Sequence, residues 1–373
     1  MFTLAYISRL ASIAFFYLPA AVYCAAIPFS GARPNIAIFG DSYADAGNIY
    51  ALTAGKGAYW NGRFTNGPNW VDYLSAALRQ PVFNFAVGGA LINNAILPPR
   101  TQTGNNSTDS VDFSSSPSSL GVMPCISTQV NAFVSNPVYS SYAPMTTAVI
   151  EAGGNDYVWL VGNPKSGPVS VKIQQEFVER ATDSIIQSSQ LLVNSGVRRL
   201  VVWNMGNITG SQMTSAFNQD ACASITNNFN KALEAKFERF KQQNMKRLEM
   251  AQIFDSFGFS SFCKDSKTLS SLGITEIRKP CLKNTGFSSP GGAATPQCAD
   301  PEKHFFYDFA HFTSRIHAIF GITIARHTIN PRYKTTEAGL LNMINQYRIN
   351  ESTSEKNFYT KIWPKKNSQV SWL

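Results

Sequence analysis

Histidine is scarce in this 373-residue chain: there are four, against 32 Lys and Arg and 23 Asp and Glu. No C-x-x-C pair and no H-E-x-x-H occurs, so no metal site is expected, and no cofactor either. The chain also lacks G-x-G-x-x-G and G-x-x-x-x-G-K, the glycine loops that cradle nucleotide phosphates. It has no G-x-S-x-G, which argues against the sharp nucleophile elbow of α/β-hydrolases. Acidic residues are the minority and the net charge is +9. The Lys and Arg are spread through helical stretches and the C-terminal tail without interleaved aromatics. A solvated basic surface follows, and no nucleic-acid partner is expected. Beyond the N-terminus no apolar run is long enough to span a bilayer, so no stable membrane insertion is expected.

The first 26 residues, Met1 to Ala26, carry Arg9, an apolar stretch from Leu10 to Tyr23, and small residues Cys24-Ala25-Ala26. That pattern reads as a cleaved secretory signal and predicts an extracellular protein. Cleavage removes Cys24 and leaves Cys125, Cys222, Cys263, Cys281 and Cys298, an odd number, so at least one thiol has no partner within the chain. Export permits disulfides, and Cys281–Cys298 is the favoured pair. Sequons stand at Asn105, Asn106, Asn207 and Asn350. The composition, 44% hydrophobic and 15% charged, supports a full core. No Pro/Gly-rich linker divides it. The expected organisation is one domain over 27–330 with a Ser/Thr/Pro-rich insertion at 98–124, then a peripheral extension at 331–373. A monomer is expected.

What is present begins at Ile36-Ala-Ile-Phe-Gly-Asp-Ser42. A short apolar strand turns at Gly40-Asp41 and delivers Ser42, and the Ser42-x-x-Asp45 spacing reads as a capping box opening a helix. Further strands are expected at Val82–Val87, running into Gly88-Gly89, and at Thr147–Ala152, running into Gly153-Gly154-Asn155-Asp156. Two more follow at Arg199–Trp203 and Met250–Asp255. Between them lie helical patterns at Trp70–Arg79, Val171–Ser195 and Phe217–Gln243, with a last helix from a Thr313 cap to about His327. Strands alternating with helices predict a parallel sheet of about five strands covered on both faces, a three-layer α/β/α sandwich. Ligands of such sheets sit beyond the carboxyl ends of the strands. The Ser42, Gly89 and Asn155 stretches all end there.

Acyl transfer through a serine needs a base, a group that orients the base, and donors for the oxyanion. With so few histidines, His311 stands out, because Asp308 lies three residues earlier on a loop before a helix. That spacing lets the carboxylate reach one imidazole nitrogen while the other faces a nucleophile. Alone, Asp-x-x-His is more often incidental than catalytic.

Together these stretches resemble the four blocks of the GDSL, or SGNH, hydrolase family across roughly residues 35–327. The blocks are Phe39-Gly-Asp-Ser42 with Asp45 and Gly47-Asn48; Asn84-Phe-Ala-Val-Gly-Gly89; Gly154-Asn155-Asp156; and Asp308-Phe-Ala-His311. The resemblance implies a flavodoxin-like fold, Ser42 as nucleophile, His311 as base and Asp308 as its orienting partner. It implies an oxyanion hole from the Ser42 and Gly89 backbone N–H groups and the Asn155 amide. Gly62-Arg-Phe-Thr-Asn-Gly-Pro-Asn-Trp70, Ala86-Val-Gly-Gly-Ala90 and His317 are similar to fungal secreted carbohydrate acetylesterases (carbohydrate esterase family 16). Two departures stand out. Phe312 replaces the usual proline after the histidine and is expected to loosen that loop, and Asn204-Met-Gly-Asn207 lacks the usual prolines.

The expected activity is deacetylation of plant-cell-wall oligosaccharides or other small esters. The alternatives are lipid-ester hydrolysis and an inactive binding relative. Asp41, Tyr59, Trp60, Phe64 and Trp70 are candidates for substrate contact. For the four aromatics, packing over the sheet is an equally good reading.

Overall fold

The apolar runs that end at each turn form a sheet in a computed structural model of the chain. It describes residues 36–49, 59–96, 124–161, 169–207, 219–282 and 298–363. The expected signal segment, the 98–124 insertion apart from Pro124, and the sequons Asn105 and Asn106 lie outside the described residues. Among those residues, five strands pair in parallel in the order β2-β1-β3-β4-β5. They are β1 (Ile36–Phe39), β2 (Phe83–Asn84), β3 (Thr147–Ile150), β4 (Arg199–Trp203) and β5 (Met250–Phe254). The chain crosses from β2 over β1 to β3, so the carboxyl ends of β1, β2 and β3 converge at the point where strand order reverses. That is where an open parallel sheet leaves its crevice.

The alternation of side chains along each strand sorts the core into two layers. Ala37, Phe39, Ala148, Ile150, Leu200 and Val202 face one layer. Ile36, Ile38, Val149, Val201 and Trp203 face the other. Helices α1 (Trp70–Leu78), α2 (Ile126–Ser135), α3 (Gly154–Val161), α4 (Val171–Asn194) and α5 (Gln219–Gln243) follow in chain order. Next come α6 (Ser256–Cys263), α7 (Ser266–Leu272), α8 (Ser314–Ile329), α9 (Glu337–Tyr347) and α10 (Phe358–Ile362). Helices α2 to α5 bury their apolar stripes in the first layer, through residues such as Phe133, Phe177 and Phe229. Helices α1 and α6 to α9 cover the second. The three-layer sandwich is therefore the fold.

Several local expectations change. Strand β2 is only two residues long, because the Asn84 side chain accepts from Ala86 N–H (2.9 Å) and donates to the Ala44 carbonyl (2.9 Å), which bends the chain. No helix starts at Ser42. Asp41 O accepts the Ala44 and Asp45 N–H groups in a turn, and Asp45 caps the residues after it through Gly47, Asn48 and Ile49 N–H. Thr313 precedes α8 but does not cap it; its hydroxyl donates to His304 O at 2.7 Å. The segment after residue 330 is not peripheral where it is described. Leu340, Met343, Ile344 and Ile349 sit in the second core layer, an amphipathic face that polar composition concealed.

Cys281 and Cys298 form a disulfide, while Cys125, Cys222 and Cys263 are buried thiols. The bridged segment is stitched to the histidine loop, with Cys281 N–H bonding Phe306 O and Leu282 N–H bonding Tyr307 O.

Candidate active site

The turn after β1 and the loop before α8 come together 269 residues apart in sequence. His311 Nε2 lies 2.7 Å from Ser42 Oγ. On the other side of the ring, Nδ1 lies 2.7 Å from Asp308 Oδ2. The second oxygen of Asp308 accepts the N–H groups of Ala310 (2.8 Å) and His311 (2.7 Å), which closes the loop into a rigid Asx turn. All three side chains are buried: Ser42 is 7% exposed, His311 3% and Asp308 0%. Burial alone would raise the Asp308 carboxyl, but the charge and hydrogen bonds of His311 outweigh it and hold the group below its ordinary value. An ionised Asp308 favours the tautomer with the proton on Nδ1, which leaves Nε2 free to accept from the serine.

Aromatic rings enclose the imidazole. Phe64 lies 5.0 Å from it and Tyr43 5.3 Å, centroid to centroid. Tyr43 also donates its hydroxyl to Ala310 O at 2.6 Å, tying the Ser42 turn to the histidine loop. Phe312 does not loosen that loop. It stacks on Phe320 at 5.6 Å and meets Phe305 and Tyr43 edge-on, so ring packing does what proline's fixed φ would do.

Gly89 and Asn155 follow β2 and β3, the strands that flank β1. Gly89 follows β2 with φ +83°, a conformation only glycine adopts without strain, and a Cβ there would meet nothing within 4 Å. Neither the Ser42 nor the Gly89 backbone N–H makes a hydrogen bond among the described residues. Asn155 opens α3, and its amide nitrogen donates to Asp41 Oδ2 (3.2 Å) and Ala90 O (3.0 Å). A hydroxyl 2.7 Å from an imidazole that a carboxylate holds in turn is the arrangement acyl transfer needs.

The match to the family model described as GDSL-like Lipase/Acylhydrolase covers residues 36–324. The chain belongs to that family. Two GDSL esterase/lipases of Arabidopsis thaliana are similar to this hydrolase. One is 25% identical over 75% of this chain and 89% of its own length, the other 22% over 81% and 93%. The phosphatidylcholine-sterol acyltransferase of Aeromonas hydrophila is 24% identical over 46% of this chain and 44% of its own. The GDSL hydrolase is therefore a carboxylic ester hydrolase. No helix among its described residues is long and apolar enough to cross a membrane, and none of their His, Cys, Asp and Glu side chains cluster as a metal site.

The substrate-contact candidates of this GDSL hydrolase separate. Trp70 is 1% exposed and packs on Trp203 at 4.9 Å, so packing is its reading. Asp41 is buried and faces Asn155 instead of open space. Trp60 turns to Arg63 and Tyr359. Phe64 flanks the imidazole. Tyr59 has a different partner: its hydroxyl donates to Asp308 Oδ2 at 2.8 Å. The Gly62–Trp70 loop owes its order to Arg63, which forms a buried two-toothed pair with Asp72 (3.0 and 2.9 Å), and to Asn69, which caps α1 and donates to Asp45 O.

Sequence reasoning missed Gln129 and Glu151. Gln129 on α2 holds both sides of Gly40, accepting from its N–H and donating to its carbonyl, each at 2.9 Å. Glu151 ends β3 beneath the same turn, with Oε2 3.4 Å from Asp41 N. A carboxyl directly after the apolar run Ala148–Ile150 was the available signal.

Proposed function

We propose that the protein is a secreted serine esterase that removes acetyl groups from plant-cell-wall oligosaccharides through an acyl-enzyme. The observation that carries the mechanism is the unbroken line Ser42 Oγ to His311 Nε2 to Asp308 Oδ2, each step 2.7 Å. His311 takes the serine proton as Oγ attacks the ester carbonyl. Asp308 stabilises the imidazolium, and the oxyanion is met by Ser42 N–H, Gly89 N–H and the Asn155 amide, which exchanges its bond to Ala90 O for the oxyanion. Each such donor typically lowers the barrier by about 2.7–4 kcal/mol. His311 then protonates the departing alcohol, and water admitted to the same base releases the acid.

The small acyl group is supported by the setting of the nucleophile, which is buried and flanked by Tyr43 and Phe64 rings around the imidazole. The signal-like Met1–Ala26 and the sequons Asn207 and Asn350 support secretion as a glycoprotein, acting as a monomer. The second reading is acyl transfer from lipid esters, supported by the similarity to the Aeromonas acyltransferase.

A panel of acetylated xylo-oligosaccharides, p-nitrophenyl acetate and long-chain lipid esters decides between them. The oligosaccharide reading expects the highest kcat/KM on the acetylated sugars; a preference for long-chain lipid esters overturns it. Ser42→Ala is expected to lower kcat by about 10⁴- to 10⁶-fold with the fold retained. A folded S42A protein with wild-type turnover would end the serine mechanism.

A further inference from the structure

Beneath the nucleophile turn lie two buried carboxyl groups that no step of the mechanism uses. Asp41 is 1% exposed and Glu151 8%. Their side chains hydrogen-bond each other, and Glu151 Oε2 also stands 3.4 Å from the Asp41 N–H. Asp41 distributes its remaining contacts with care. Oδ1 accepts from Tyr43 N–H at 3.0 Å, and Oδ2 accepts from the Asn155 amide nitrogen at 3.2 Å. The second amide hydrogen rests on Ala90 O at 3.0 Å, the bond an oxyanion would replace while Asp41 keeps the first. The amide orientation of Asn155 therefore depends on an acceptor, Asp41, whose own place is set from below by Glu151.

We propose that Glu151 is a positioning residue for the oxyanion hole, acting through Asp41 on the Asn155 amide. The inference rests on the esterase reading and extends it one shell outward. Two carboxylates this close in a buried site cannot both be ionised, so one proton is shared between them. Burial, before the contrary hydrogen bonds, raises Asp41 to about 6, and burial followed by the charge of Asp41 raises Glu151 well above its ordinary value. Glu151 therefore carries the proton and donates, and Asp41 stays an acceptor for Asn155. The charged groups facing Asp41 are His311, Asp45 and Asp156, while Glu151 faces Asp41. When Glu151 ionises, two charges oppose each other across the pair and the acceptor moves off the amide.

The test is a double-mutant cycle on p-nitrophenyl acetate turnover. Glu151→Ala is expected to lower kcat about ten- to a hundred-fold, the scale of a misplaced catalytic group, with KM changed less than two-fold. Asn155→Ala loses more, about 10²- to 10³-fold. In the E151A/N155A protein the losses should not multiply, because Glu151 acts only through Asn155. Multiplicative losses, or wild-type kcat in folded E151A, overturn the assignment. Where E151A does not fold, Glu151→Gln decides. Its amide donates to Asp41 as the acid does, so kcat at neutral pH stays within about three-fold, but it cannot ionise, so the fall in kcat expected of the wild type at alkaline pH should be absent. An E151Q protein that keeps the wild-type alkaline limb, or loses as much as N155A, overturns it equally. Ser42→Ala abolishing turnover while these variants leave it untouched would remove Glu151 from the argument and leave the esterase reading standing.

Discussion

Tyr59 donates a 2.8 Å hydrogen bond to Asp308 Oδ2, the oxygen that also holds His311 Nδ1. The two residues are 249 positions apart. Asp308 therefore receives four hydrogen bonds, two from its own loop, one from the His311 ring and one from a loop on the far side of the sequence.

Removing the Tyr59 hydroxyl leaves the ring in place against Tyr307 and Phe64. Tyr59→Phe is expected to reduce kcat/KM about three- to ten-fold, matching roughly 1 kcal/mol from one hydrogen bond. Steady-state kinetics on p-nitrophenyl acetate measure this. An unchanged constant would mean the three remaining bonds orient Asp308 without help.

Asp308→Asn keeps the shape of the loop but replaces the acceptor facing Nδ1 with an amide. The imidazole then prefers the wrong tautomer, and a loss in kcat on the order of 10⁴-fold is expected at neutral pH. Thermal unfolding should stay close to wild type. A kcat within ten-fold of wild type would show that Asp308 does not set the tautomer.

Asp156 accepts Ile92 N–H through both oxygens (3.1 and 3.0 Å), yet burial raises its pKa to about 7. The folded state thus binds a proton here more tightly than the unfolded chain. That contribution to stability is complete below about pH 4 and is lost as pH rises through 7. Asp156→Asn removes the term, so its stability relative to wild type should improve between pH 4 and 8, by an amount on the order of 2–4 kcal/mol. Denaturant midpoints across that range test it. A constant difference, independent of pH, would contradict the shift.

Gly321 lies in α8 where it crosses α1, and a Cβ there would come within 2.3 Å of Trp70 O and 2.7 Å of Tyr73 Cβ. Backbone cannot yield as a flexible side chain can. Gly321→Ala should lose about 1–3 kcal/mol by forcing the helices apart, although alanine is the better helix former. Equal or greater stability in urea unfolding would show that the pair separates freely.

Removing the disulfide by Cys281→Ser with Cys298→Ser should lower stability by roughly 3 kcal/mol, the entropy of closing a loop of about this length. Because the bridged segment is hydrogen-bonded to Phe306 and Tyr307, just before Asp308, kcat should fall as well. Unfolding and kinetics on the same protein separate the two effects. Full activity would mean the histidine loop holds its shape through Asp308 and Phe312 alone.

Short-range physics made much of the molecule legible from its residues. Short apolar runs announced β1, β3, β4 and β5 within a residue or two, and their alternation with helical patterns announced a parallel sheet. The Asp308-x-x-His311 pair was readable because both residues share one tight loop, and Cys281–Cys298 was favoured because the two lie close together in one irregular stretch. Trp70 was ambiguous for the opposite reason: an aromatic looks the same in sequence whether it meets a sugar or a neighbouring Trp203.

Composition and local spacing, then, determined the strands and the covered parallel sheet, and the resemblance of four blocks to the GDSL family named the candidate nucleophile, base and oxyanion donors. Tertiary structure alone decided that Tyr59 serves Asp308, that Gln129 clamps Gly40, that Glu151 lies under Asp41 and that residues 337–349 belong to the core. A hydrogen bond within a turn is set by the few residues around it and leaves a spacing to read. A bond across a hundred positions depends on which surfaces the whole chain packs together, and packing leaves no period behind.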